Sequence, residues 1–280
     1  MDTSHSPGNS AAHHLQRPRG RIAYDLYGAE NTGTLVVCVP GMFDHRASFR
    51  FVGAALAEAG YRVAAMDLRG HGDSGTAFDD HTNRAAATDA VALAEELGGE
   101  DVVMVGNSLG GAAVTIAAKE RPDLVAGIAL LAPFLRQPVP SLFVRIAQRL
   151  MLVRLWGPRA VTGYYNALNT GRTPEGHREH LDRVLRMLRP ADRYRSVYDT
   201  IYAPHEEVLE AADLRAGAVV IVGEQDSDWK DPRAEAEWVA SVVHGSVVMV
   251  PECGHYPQSQ RPDVVVPALE ALIGRAGSSA

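Results

Sequence analysis

The sequence predicts an α/β protein with a mostly parallel sheet covered by helices on both faces. Short runs of Val, Ile, Leu and Ala without polar alternation recur along the chain, as strands buried on both faces require. Stretches with helical spacing lie between most of these runs, and repeating βα units close into a parallel sheet. With 280 residues, 46% of them hydrophobic, the chain can bury the core of one large domain, and 26 glycines and 16 prolines provide the turns that so many elements need.

Taken in order from Thr34, Thr34 to Val39 reads as a strand and Ala54 to Ala59 as helical. Arg62 to Asp67, Asp101 to Val105 and Ala126 to Leu131 follow as strands, with helices at Arg84 to Leu97 and Leu109 to Arg121. The rhythm resumes late with strands at Ala218 to Val222 and Ser246 to Val250 and helices at Ala234 to Val243 and Pro262 to Arg275. Between Ala132 and Ala218 lie roughly eighty-five residues, too many for a plain connection, so they must form structure of their own. Leu142 to Leu155, Arg178 to Leu188 and Ala191 to Tyr202 show helical spacing, and the segment reads as a helical cap. The organisation expected is a disordered tail over 1–18, rich in Ser, His, Pro and Gly, a core over 19–133 and 210–280, and the cap over 134–209. No internal repeat is visible.

The sharpest local signal is Gly106-Asn107-Ser108-Leu109-Gly110, between the run Val102 to Val105 and the alanine-rich stretch from Ala112 to Lys119. A serine hydroxyl is a poor nucleophile at neutral pH, and a tight strand-to-helix turn holds it where a base can reach it. Most serines so placed merely cap a helix, so the order of the partners matters. Asp226 follows the run Ala218 to Val222, and His255 follows Ser246 to Val250. Both fall at C-terminal strand ends, the edge where open α/β sheets place their ligand crevice. Ser108, Asp226 and His255 are therefore the candidate catalytic residues, with Asp228 and Asp231 as alternative acids.

On these residues the chain resembles the α/β-hydrolase superfamily, serine hydrolase branch, from about Arg21 to Gly274. Val36 to Met42 looks like the strand ending in the oxyanion loop, although Pro40-Gly41 stands where His-Gly is commoner. Asp67 to Ser74 looks like the next strand end with its glycine-rich turn, and Pro251 to His255 like the histidine loop. The resemblance implies the α/β-hydrolase fold, with a helical cap after the sixth strand, and a Ser-His-Asp triad acting through an acyl-enzyme. It also implies an oxyanion hole made of the backbone N–H groups of Met42 and Leu109. The activity expected is hydrolysis of a carboxylic ester, lactone or thioester of a small to medium, largely apolar substrate. Carbon–carbon bond cleavage, a non-hydrolytic biosynthetic step, or ligand binding on the same fold are the alternatives. Ser74 reads as a turn residue rather than a second nucleophile.

Phe134, Phe143, Trp156 and Tyr164 are the candidate pocket residues, against the alternative that aromatic residues at helical spacing simply pack helices together. The cap arginines read as a solvated face, with a substrate carboxylate as the alternative partner of one of them. Asp44, His45 and Arg46 read as a solvated turn or helix start, with a pocket lining as the alternative. A net charge of -7 with scattered Lys and Arg excludes a nucleic-acid module. Two cysteines, Cys38 and Cys253, exclude a disulfide framework, and no run is long enough to span a bilayer. The expectation is a cytoplasmic monomer or homodimer acting on a small molecule, with no metal and no cofactor.

Overall fold

The computed structural model describes residues 12–136, 142–209, 211 and 214–277. In chain order the elements are β1 (His13–Arg17), β2 (Gly20–Tyr27), β3 (Leu35–Val39), α1 (Arg50–Glu58), β4 (Arg62–Met66), α2 (Asn83–Glu96), β5 (Val102–Asn107), α3 (Leu109–Glu120) and β6 (Val125–Leu131). There follow α4 (Leu142–Met151), α5 (Gly157–Ala167), α6 (His177–Met187), α7 (Ala191–Tyr202), β7 (Gly217–Gly223), α8 (Pro232–Val243), β8 (Ser246–Val250), α9 (Pro257–Gln260) and α10 (Pro262–Ala276). The eight strands form one sheet in the order β1-β2-β4-β3-β5-β6-β7-β8. Only β1 and β2 run antiparallel to their neighbours. This is the α/β-hydrolase fold.

Successive residues of each inner strand serve opposite faces. Val37, Met104, Leu130 and Val220 pack towards α2, α3 and α8, whereas Val36, Val103, Ala129 and Ile221 pack towards α1 and α10. With both faces covered, the middle of each inner parallel strand is apolar and polar residues are confined to the strand ends, which is why the sequence shows continuous apolar runs. Helix ends carry their own signals. Thr82 accepts from Ala85 N–H at 3.1 Å to start α2, and Asp231 accepts from Ala234 N–H at 3.0 Å to start α8.

Two expectations need correction. His13–Arg17, placed in a disordered tail by its polar composition, is the edge strand β1. It buries a single apolar side chain, Leu15, and is held by its antiparallel ladder to β2, so composition carries almost no trace of it. Residues 1–11 of that tail, and the boundary at 210, lie outside the described residues. The helical runs read between β6 and β7 omitted α5, whose Gly157-Pro158 start masks its periodicity. Ser74 is a structural residue: its Oγ accepts from Ala23 N–H at 2.9 Å and donates to the Asp67 carbonyl at 3.2 Å, tying β2 to the end of β4. Cys38 and Cys253 are both buried free thiols. Among the described residues no helix is long and apolar enough to cross a membrane.

Candidate active site

Ser108 stands between β5 and α3 with φ 55° and ψ −118°, a left-handed conformation that costs a non-glycine residue of order 1–3 kcal/mol. The surroundings hold it there. Ser108 N–H donates to the Leu131 carbonyl at 3.0 Å, and the Ser108 carbonyl accepts from Gly111 N–H at 2.9 Å and Phe134 N–H at 3.2 Å. Gly110 is required because a Cβ there would lie 2.2 Å from the Val39 carbonyl oxygen. The first turn of α3 is thereby pressed against the end of β3, where the turn Gly41-Met42 begins.

At the neighbouring strand ends, His255 Nδ1–H donates to Asp226 Oδ2 at 2.9 Å, and both residues are buried. Asp228 lies farther away, at 3.5 Å, half-exposed, and accepts from the Tyr164 hydroxyl at 2.7 Å. Asp231 is occupied as the cap of α8. Burial opposes charging the His255 imidazole, but the Asp226 carboxylate, with help from Asp228 and Asp44, outweighs it and holds this histidine above its ordinary pKa. The hydrogen bonds among the described residues do not include one between Ser108 Oγ and His255. Such bonds are often long in unliganded enzymes and tighten on loading.

Two buried amides that the sequence reading passed over lock this arrangement. Asn107 Nδ2 donates to the carbonyls of Leu131 and His255, each at 3.0 Å, so the residue beside Ser108 grips the backbone of the histidine. Gln260 Oε1 accepts from Gly254 and Tyr256 N–H at 3.1 and 3.2 Å, bracketing His255. Neither has a sequence signature, because each partner is fixed only by the tertiary fold. Asn107→Ala is expected to cost about 1–3 kcal/mol by stranding the His255 carbonyl, the Leu131 carbonyl keeping the Ser108 N–H, measured by urea unfolding. A loss under about 0.5 kcal/mol would mean the bridge carries no load.

A cavity of about 350 Å³ opens over the elbow, and its wall includes Met42, Leu109, Ala112, Phe134 and Ile201. Among the described residues no acceptor takes the N–H of Met42 or of Leu109, the first residue of α3. The Phe134 ring stands edge-on to His255 at 5.9 Å.

The Alpha/beta hydrolase family profile matches residues 36–268, nearly the whole of the described core and the helices inserted in it. The chain belongs to the alpha/beta hydrolase family. It is 32% identical over 105 residues to the mouse (Mus musculus) sn-1-specific diacylglycerol lipase ABHD11, covering 37% of this chain and 34% of that protein. It is 38% identical over 120 residues to the pyrethroid hydrolase of Sphingobium wenxiniae, covering 40% and 41%. The chain thus spans well under half the length of these relatives. A thermophilic esterase from Thermogutta terrifontis superposes with a TM-score of 0.77 at 22% identity, covering 95% of this chain and 99% of that one, a likeness of fold.

None of the remaining pocket candidates lines this cavity. Tyr164 donates to Asp228 and stands edge-on to Phe43 at 6.3 Å, outside the cavity wall. Phe143 and Trp156 lie farther out. Phe143 is 80% exposed, and the Trp156 indole donates to the Leu150 carbonyl at 2.8 Å at the surface. Their apolar character alone suggested a lining role, but α4 turns Phe143 outwards.

Asp44 and His45, read as a solvated turn, are buried. Asp44 accepts from His180 Nε2–H at 2.8 Å and from the Tyr165 hydroxyl at 3.2 Å, while the His45 and His180 rings stack at 4.2 Å. These partners lie 136 and 121 residues away, on α6 and α5, beyond the reach of any local pattern. Tyr165 in turn stacks on Tyr256, next to His255, at 4.3 Å. Arg46 is held by Asp25 at 2.8 Å and by Asp67.

Proposed function

We propose that the hydrolase is a serine hydrolase cleaving a carboxylic ester, with lactones and thioesters as close variants, through Ser108, His255 and Asp226. The observation that carries this reading is a strained serine set directly before Leu109, whose N–H, like that of Met42, meets no acceptor among the described residues, beside a cavity that Met42, Leu109, Ala112 and Phe134 line. In the reaction His255 takes the Ser108 proton as Oγ bonds to the carbonyl carbon, and the carbonyl π pair moves onto oxygen, facing the two N–H groups. The ester C–O bond then breaks, and the proton passes from His255 to the leaving alkoxide. Water, deprotonated by the same histidine, releases the acid and restores Ser108. Asp226 holds the imidazole tautomer and stabilises its charged form.

The helices within 134–209 act in this reading as a cap that shapes the acyl pocket and excludes water. Ile201 and Tyr202 of α7 share the cavity wall with Met42 and Leu109, which supports it. Its floor of Met42, Leu109, Ala112 and Phe134 suits a small to medium apolar acyl chain. The test is intact-mass labelling with a fluorophosphonate probe. One adduct on wild type and none on Ser108→Ala or His255→Ala is expected, and an unlabelled wild type refutes the reading.

Gly41→Ala probes the oxyanion turn, since its Cβ would lie 2.8 Å from Ser108 Cβ and force the loop aside. A displacement near 1 Å at a reacting centre costs about a hundredfold. The expected result is a kcat loss of that order with an unchanged circular dichroism spectrum.

A further inference from the structure

The cavity beside the elbow, lined by Met42 and Leu109, carries an unbalanced charge. From it we propose that the ester this hydrolase takes bears a second acidic group, an ionised carboxylate a few bonds from the scissile carbonyl, which rests on the ester reading above. Arg145 and Arg149 of α4 both line the cavity that Met42 and Leu109 line. They stand four residues apart, on one helix face, where like charges repel. The sequence of α4 contains no acid, and among the described residues no carboxylate pairs with either arginine. Arg149 meets the Tyr202 hydroxyl, a neutral partner.

The other ionisable groups on the wall do not cancel this charge. Glu206 is gripped by Arg84, whose Nε and Nη2 donate to its two oxygens at 2.8 Å each. His205 is held neutral by burial, and its Nδ1 accepts from Asn83 N–H at 3.1 Å. Leu142, Ile146 and Leu150 stand at 73, 50 and 57% exposure and Arg145 and Arg149 are exposed as well, so α4 sits at the rim of the cavity with its two cations open to an arriving anion. Arginine presents a planar fork that matches a carboxylate, and two of them at the mouth fix one end of an acyl chain whose other end reaches the serine.

The test compares kcat/KM for monoethyl adipate against ethyl hexanoate, and for 6-acetoxyhexanoate against hexyl acetate, so that the carboxylate sits on the acyl or on the alcohol side. The arginines are solvent-facing, and their contribution is screened accordingly. A preference of about tenfold for the anionic member of one pair is expected, falling in high salt and lost in Arg145→Gln/Arg149→Gln. Equal rates for both members of both pairs, unaffected by the arginine changes, would overturn the proposal while leaving the ester reading intact. The affinity of Ser108→Ala for the same compounds, by calorimetry, separates the two claims. Arginine-dependent binding of the anionic esters without turnover by wild type would uphold the anion site and refute the ester reading. No arginine-dependent binding would refute the anion site.

Discussion

Ser108→Ala is expected to lower kcat on an activated ester by about a millionfold, the scale seen when the nucleophile of such a constellation is removed. In the proposed mechanism the loss is large because Ser108 Oγ is the atom to which the acyl group bonds. The oxyanion donors survive the change, since the N–H groups of Met42 and Leu109 belong to the backbone, and they sustain a small residual rate. The fold should be untouched: the backbone bonds of Ser108 to Leu131, Gly111 and Phe134 need no side chain. Single-turnover kinetics with circular dichroism and thermal melting check both halves. Activity within tenfold of wild type would sink the assignment of the nucleophile.

Asp226→Asn is expected to cost about 10⁴ in kcat, because the amide favours the wrong imidazole tautomer and no longer stabilises the positive charge. The pH profile gives a second readout. Only neutral His255 can accept the serine proton, so kcat/KM rises with pH through the histidine pKa. Asp226 holds that pKa above the ordinary value of about 6.5, which puts the acid limb of the wild type above it as well. Without the carboxylate, burial is the dominant influence, and the acid limb of the variant moves to lower pH. Asp228→Asn should be the milder change, given its longer 3.5 Å separation and its bond to Tyr164. A larger loss in Asp228→Asn, or an acid limb that does not move in Asp226→Asn, would refute the choice of acid.

The strand-to-helix turn at Ser108 and the meeting of Asp226 with His255 were legible because each residue is tied to the end of an apolar strand, and a parallel sheet puts those ends on one edge. The parallel strands β3 to β8 were legible for the same reason. The antiparallel strands β1 and β2 were not, since β1 has one buried leucine and a backbone ladder and β2 mixes polar residues among its apolar ones. The Asp44–His180 pair was invisible because buried polar groups look like surface residues until their distant partner is known. The outward-facing Phe143 failed in the opposite sense: an apolar residue near a site is not thereby inside it, and only the rotation of α4 decides which of its faces meets the cavity.

The contacts of Asp44 divide the inserted helices into two mechanical halves. Lifting α5 and α6 from the core would strip His180 and Tyr165 from the buried Asp44 carboxylate, at about 1–3 kcal/mol for each hydrogen bond to the charged group. It would also unstack Tyr165 from Tyr256, beside the histidine. Helix α4, whose large apolar residues face solvent, has no comparable anchor among the contacts of the described residues. Displacing α4 while α5 and α6 stay seated would leave the Asp44 contacts and the Asp226–His255 hydrogen bond as they are.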